Sequence, residues 1–126
     1  MARIEICGAM GSGKTTLAEL LAAHGLTPCL ERVANNPFLA DFYQNPAAHA
    51  FTKNSFFLLE HLHHCRNLPP GKIAVFDNAL ILHKAYASLN QQSAAEAAQY
   101  QSLYDFTVSQ CGAPDLLIIL GCDPEP

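Results

Sequence analysis

Ile4-Glu5-Ile6-Cys7-Gly8-Ala9-Met10-Gly11-Ser12-Gly13-Lys14-Thr15-Thr16, near the start of the chain, decides the fold. A short apolar run, Ile4 to Cys7, stops at a glycine, and Gly8 to Thr15 then meets the pattern GxxxxGK[ST] at every fixed position. From Lys14 to His24 the residues Leu17, Ala18, Leu20 and Leu21 fall on one helical face, which Gly25 ends. Strand, glycine loop and helix are the setting such a loop needs. Its glycines let backbone N–H groups converge on phosphate oxygens, and the helix start adds partial positive charge. Lys14 is expected to neutralise the β and γ phosphates of ATP or another nucleoside triphosphate, and Thr15 to offer its hydroxyl to Mg²⁺. Gly8, Ala9, Met10, Gly11, Ser12, Gly13 and Thr16 complete the expected cradle. The competing reading is a glycine-rich turn that merely joins strand to helix, and the agreement of motif with context weighs against it.

Outward from the loop, short apolar runs alternate with helical periodicity. Thr27 to Val33 reads as a second strand, closed by Asn35-Asn36-Pro37, and Phe38, Leu39, Phe42 and Tyr43 keep helical spacing as far as Asn45-Pro46. A long helix follows from about Ala48 to Arg66. Phe51, Ser55, Leu58, Leu59, Leu62 and Cys65 form a packing stripe on it, while Asn54, Phe57, His61 and His64 form a second face suited to line a pocket. Pro69-Pro70-Gly71 breaks the chain, and Lys72 to Asp77 is a third strand that leaves Asp77 at its C-terminal tip. An alanine-rich helix runs from Gln91 to Cys111, with Ala97, Tyr100, Leu103, Tyr104, Thr107, Val108 and Cys111 on one side. Asp115 to Leu120 is the fourth strand. Short, continuously apolar strands alternating with helices predict a parallel sheet covered on both faces, a three-layer α/β/α arrangement of the P-loop type in a single domain over residues 1–126.

Composition narrows the function classes. Half of the 126 residues are hydrophobic, enough for one packed core. A formal charge of -4 with only seven Lys and Arg offers no basic face to a phosphate backbone, so no nucleic-acid partner is expected and the ligand should be small. Cys7, Cys29, Cys65, Cys111 and Cys122 form no CxxC pair and read as reduced, buried thiols of a cytoplasmic protein. The longest apolar stretch, Leu116 to Leu120, is far below membrane-spanning length, and no membrane partner is expected. His61, His64 and Cys65 share one side of a helix, but a metal site needs ligands from elsewhere, and histidines lining a pocket or facing solvent are the better reading.

The segment Glu31-Arg32-Val33, Asn36-Pro37-Phe38-Leu39, Phe42-Tyr43, Asn45-Pro46, Ala50-Phe51 and Phe57-Leu58, with the strand entry Pro114-Asp115-Leu116-Leu117, resembles the deoxynucleoside kinases, especially the bacterial purine deoxynucleoside kinases. The resemblance implies ATP-dependent phosphorylation of a deoxynucleoside 5′-hydroxyl. It makes Glu31 the carboxylate that takes the hydroxyl proton. Tyr43 becomes the tyrosine at the sugar 3′-hydroxyl, against an alternative reading as an ordinary core aromatic. Phe57 becomes an apolar pocket position, and Asp77 the strand-end acid near Mg²⁺ and the phosphates.

The departures are as specific as the matches. Where the family reads the base with a glutamine amide this chain has Asn54, which keeps donor and acceptor on a shorter arm. Asn78 replaces the arginine after the strand-end acid, and His61 aligns with another arginine. The resemblance also implies a further helix, an arginine-rich lid and a fifth strand after the fourth. Asp123-Pro124-Glu125 resembles the start of that stretch, so the chain is expected to be cut there rather than differently folded. Lid arginines stabilise the transferring phosphoryl group, which sets up the alternative of a catalytically weak or inactive nucleotide-binding module acting in sensing or with a partner chain. The long helices are candidates for a homodimer contact.

Overall fold

A computed structural model describes residues 2–9, 11–90 and 92–121. Four strands, β1 (Arg3–Gly8), β2 (Thr27–Cys29), β3 (Ala74–Phe76) and β4 (Leu116–Leu120), form one sheet in the order β2-β3-β1-β4. Every pairing is parallel, with Ile4 opposite Val75 and Leu116, and Cys29 opposite Phe76. The helices are α1 (Lys14–Ala23), α2 (Leu39–Gln44), α3 (Pro46–Arg66), α4 (Leu80–Ser88) and α5 (Ala94–Cys111). This is the expected parallel α/β architecture. The chain divides into two compact units: Met1–Glu31, Leu68–Leu82 and Ala113–Pro126 in the first, Arg32–Asn67 and His83–Gly112 in the second.

The first unit holds the sheet and α1. Ile6, Val75 and Ala18 are fully buried, and Leu17, Leu21, Leu26, Leu30 and Ile118 pack around them. Beside this apolar centre lies a buried polar one. Glu5, 2% exposed, accepts from Arg3 Nε at 2.8 Å and from the Leu80 backbone N–H at 2.9 Å. That second bond satisfies the opening amide of α4, a helix absent from the periodicity reading. Its cap comes from a residue 75 positions away, so no local start signal marks it.

The second unit packs α3 against α2 and α5. Pro46 sits in the first turn of α3, where its missing N–H costs nothing, and His63, His64 and Arg66 place cationic or polar groups in the last turn. Ser93 caps α5 through a reciprocal box with Glu96.

Several expectations change at the edges. β2 stops at Cys29 rather than Val33, because the Glu31 N–H leaves the ladder to donate to Asp77 Oδ1 at 2.7 Å, and Val33–Asn35 is a 3-10 turn. The sheet is not covered on both faces at β4. Leu116, Leu117 and Ile119 are exposed, and among the described residues this strand pairs only with β1. On α3, Leu59 leaves the expected packing stripe for solvent while Asn54 and His61 are buried. In α1, Leu20 is likewise exposed. Cys7, Cys29, Cys65 and Cys111 form no disulfide among the described residues and are half-buried rather than enclosed, and Cys122 lies outside the described residues. No helix among the described residues is long and apolar enough to cross a membrane.

Candidate active site

Two clusters of the expected residues form, one in each unit. In the first, β1 delivers the chain into the glycine loop and α1 leaves it. Gly11 and Gly13 have φ values of 77° and 92°, a left-handed backbone that side chains other than glycine rarely accept. At Gly8 the constraint is room: an added Cβ would lie 2.6 Å from Ser12 Oγ and 3.3 Å from Leu120 Cβ. Gly13 caps α1 without any side-chain bond, so the first amides of that helix are not closed off by a serine or aspartate. Lys14 Nζ donates back to the carbonyls of Gly8 at 2.8 Å and Ala9 at 3.1 Å, which bends the ammonium over the loop. Ser12 Oγ is buried with no hydrogen-bond partner among the described residues. Thr16 is exposed on α1. Met10 lies outside the described residues.

The strand ends supply the carboxylates. Asp77, immediately after β3, is 4% exposed and accepts from the Thr15 hydroxyl at 2.9 Å as well as from the Glu31 amide. Asn78 Nδ2 donates to Glu31 Oε2 at 2.8 Å. A single network thus runs Thr15, Asp77, Glu31 and Asn78, joining residues that lie 62 and 47 positions apart. Burial, and secondarily the Asp77 charge, push the Cys29 thiol above its usual value, so it is a neutral thiol at physiological pH.

The second cluster belongs to α3 and its neighbours. Asn54 and His61 are buried, and the Phe57 ring stacks on His83 with centroids 5.8 Å apart. His61 meets the same His83 edge-on at 5.8 Å. Tyr43 lies on α2. It is 70% exposed, tilted against Phe42, which removes the core-aromatic reading. Among the described residues no group of three or more His, Cys, Asp or Glu is arranged to hold a metal ion.

Three residues of this cluster carry no sequence signal. His83 lies in α4, the helix that periodicity does not reveal. Lys53 and Asn90 meet through a tertiary contact, Lys53 Nζ to Asn90 Oδ1 at 3.2 Å, that no spacing rule encodes.

A parallel sheet whose first strand runs into a GxxxxGK[ST] loop, with a second carboxylate at the tip of a neighbouring strand, defines a P-loop fold of the nucleoside kinase type. The sequence profile of the deoxynucleoside kinases matches residues 4–126, and the chain belongs to that family. It is 29% identical over 131 residues to the deoxyadenosine/deoxycytidine kinase of Bacillus subtilis, covering 97% of this chain and 60% of that protein. To the deoxyguanosine kinase of Lactobacillus acidophilus it is 27% identical over 128 residues, covering 94% of this chain and 56% of the relative. The chain therefore spans somewhat over half the length of these curated relatives. Its fold superposes on deoxyadenosine kinase from M. mycoides, solved with dCMP and dCDP, with a TM-score of 0.76 at 23% identity over 96% of this chain and 64% of the other.

Proposed function

We propose that this chain carries the phosphate-binding and acceptor-activating parts of an ATP-dependent deoxynucleoside kinase. The network of Thr15, Asp77, Glu31 and Asn78 carries the reading, because it fixes two carboxylates beside the glycine loop. The loop fits a triphosphate on three counts. A Cβ at Gly8 would crowd Ser12 Oγ and Leu120, the amides opening α1 have no side-chain cap, and Ser12 Oγ is buried without a partner among the described residues. Thr15 and Asp77 offer two hard oxygen donors 2.9 Å apart, which suits Mg²⁺. The ion, when bound, neutralises charge on the β and γ phosphates.

In this reading Lys14 leaves the Gly8 and Ala9 carbonyls for the phosphate oxygens. Glu31, oriented by Asn78, accepts the proton of the sugar 5′-hydroxyl as that oxygen bonds to the γ phosphorus. The bond to the β–γ bridging oxygen breaks, and ADP leaves with the electron pair. Asn54 is assigned to the base, Phe57 and His61 to the walls around it, and Tyr43 to the sugar. The closeness to kinases of deoxyadenosine, deoxycytidine and deoxyguanosine supports a deoxynucleoside acceptor.

A second reading, a nucleotide-binding module without turnover, is favoured by Asn78, a neutral side chain where the family resemblance leads one to expect arginine. One assay separates the two. Purified chain with Mg·ATP and a panel of deoxynucleosides is expected to yield monophosphate by chromatography. Glu31→Gln should lower the rate by about 10²-fold or more, and Lys14→Ala should remove ATP binding measured by calorimetry. ATP binding without product in the native chain would select the second reading, and absence of both would refute the two together.

A further inference from the structure

Asn90, two residues beyond the end of α4, presents its side-chain carbonyl to α3. Its Oδ1 accepts from Asn54 Nδ2 at 2.9 Å and from Lys53 Nζ at 3.2 Å. Both donors come from buried positions, Asn54 at 4% and Lys53 at 9% exposure. The ammonium also lies 4.0 Å from the centre of the Phe42 ring, so its place is held from α2 as well.

A side-chain amide turned end for end occupies the same space but exchanges its donor for its acceptor. Here the turn is blocked in two linked steps. An ammonium group only donates, so Asn90 must face Lys53 with oxygen rather than nitrogen. With that oxygen fixed, Asn54 must face Asn90 with its own nitrogen. Turning Asn54 over would press two carbonyl oxygens together at a buried site and forfeit the bond between them.

We infer that Lys53 and Asn90 are positioning residues for specificity, holding the Asn54 amide in one orientation so that the acceptor site sorts nucleobases by the pattern on their pairing edge. Adenine and cytosine carry an amino donor beside a ring-nitrogen acceptor. Guanine and thymine carry a carbonyl acceptor beside a ring N–H. The two patterns are inverse, so a fixed amide matches one class and meets the other donor against donor and acceptor against acceptor. This rests on the assignment of Asn54 to the base.

Calorimetric binding of deoxyadenosine, deoxyguanosine, deoxycytidine and thymidine to the whole chain tests the inference without requiring phosphoryl transfer. The native chain should prefer one member of each size-matched pair by about tenfold or more. Asn90→Asp, which still accepts from both Lys53 and Asn54, should keep that preference. Asn90→Leu and Lys53→Met should bring the ratio within about threefold. In parallel, the Asn54 side-chain amide protons, assigned by their loss in Asn54→Asp, should exchange slowly in the native chain and faster in Asn90→Leu. An unchanged ratio in either folded variant, or no class preference in the native chain, overturns the inference while leaving the kinase reading standing. Failure of the native chain to bind any deoxynucleoside overturns the acceptor-site assignment and the inference with it.

Discussion

Asp77 concentrates several tasks in one carboxylate. One oxygen takes the Thr15 hydroxyl and the other the Glu31 amide, so the residue ties the glycine loop to the end of β2. Its charge also reaches Cys29, where it adds to burial in holding the thiol protonated. Asp77→Asn removes the smaller of those two causes, so the Cys29 pKa falls toward its ordinary value. Alkylation of Cys29 at pH 8, followed by mass spectrometry, should then run faster in the variant than in the native chain. Equal rates would mean that burial alone governs the thiol. The glycine loop was legible from sequence because its geometry is local: Gly13, a fixed position of the motif, sits at positive φ, and the motif encodes that need within eight residues. The partners of Asp77 were not. Only the sheet order brings Thr15 and Glu31 to it, and the bond from Asn78 to Glu31 depends on a side chain read from sequence chiefly as a lost arginine.

At the scale of elements, local capping chemistry separates what sequence reveals from what it hides. In α5 the Glu96 amide donates to Ser93 Oγ at 3.1 Å and the Ser93 amide donates to Glu96 Oε1 at 3.4 Å. Ser93→Ala should therefore lower stability by about 1 kcal/mol, read as a shifted urea midpoint with little change in slope. A neutral result would show that tertiary packing fixes the start of α5 without the cap. Such a helix is visible in sequence as alanine-rich periodicity; it starts at Ala94, and Gln91, the expected start, lies outside the described residues. By contrast, the opening amide of α4 donates to Glu5 on β1, and Leu80-Ile81-Leu82, soon after Asp77, reads as continued apolar chain. β2 was overestimated for a related reason, since a side chain rather than a neighbouring strand captures the Glu31 amide.

For the whole molecule, pH is the plainest probe of burial. Tyr100 is 5% exposed, its hydroxyl has no hydrogen-bond partner among the described residues, and burial followed by the neighbouring Tyr104 pushes its pKa up from 10.0. The folded chain therefore keeps a neutral phenol while the unfolded chain ionises. The resulting stability is fully present below about pH 10 and is lost as the pH climbs beyond that value. Thermal midpoints should fall more steeply above pH 10 in the native chain than in Tyr100→Phe. At pH 7 the substitution should leave stability unchanged or raise it by about 1 kcal/mol, because it removes a buried hydroxyl with no hydrogen-bond partner among the described residues. Identical alkaline slopes would show that the phenol titrates normally.

The central place of β1 has a bearing on how the polypeptide is made. Residues 3–8 leave the ribosome well before residues 74–76 and 116–120, which supply the strands on either side of them. Until those arrive, Ile4 and Ile6 belong to a segment whose backbone donors and acceptors lack their sheet partners. A nascent chain is thus open to edge-to-edge association until residues 116–120 emerge, and any pause in translating the stretch between lengthens that interval.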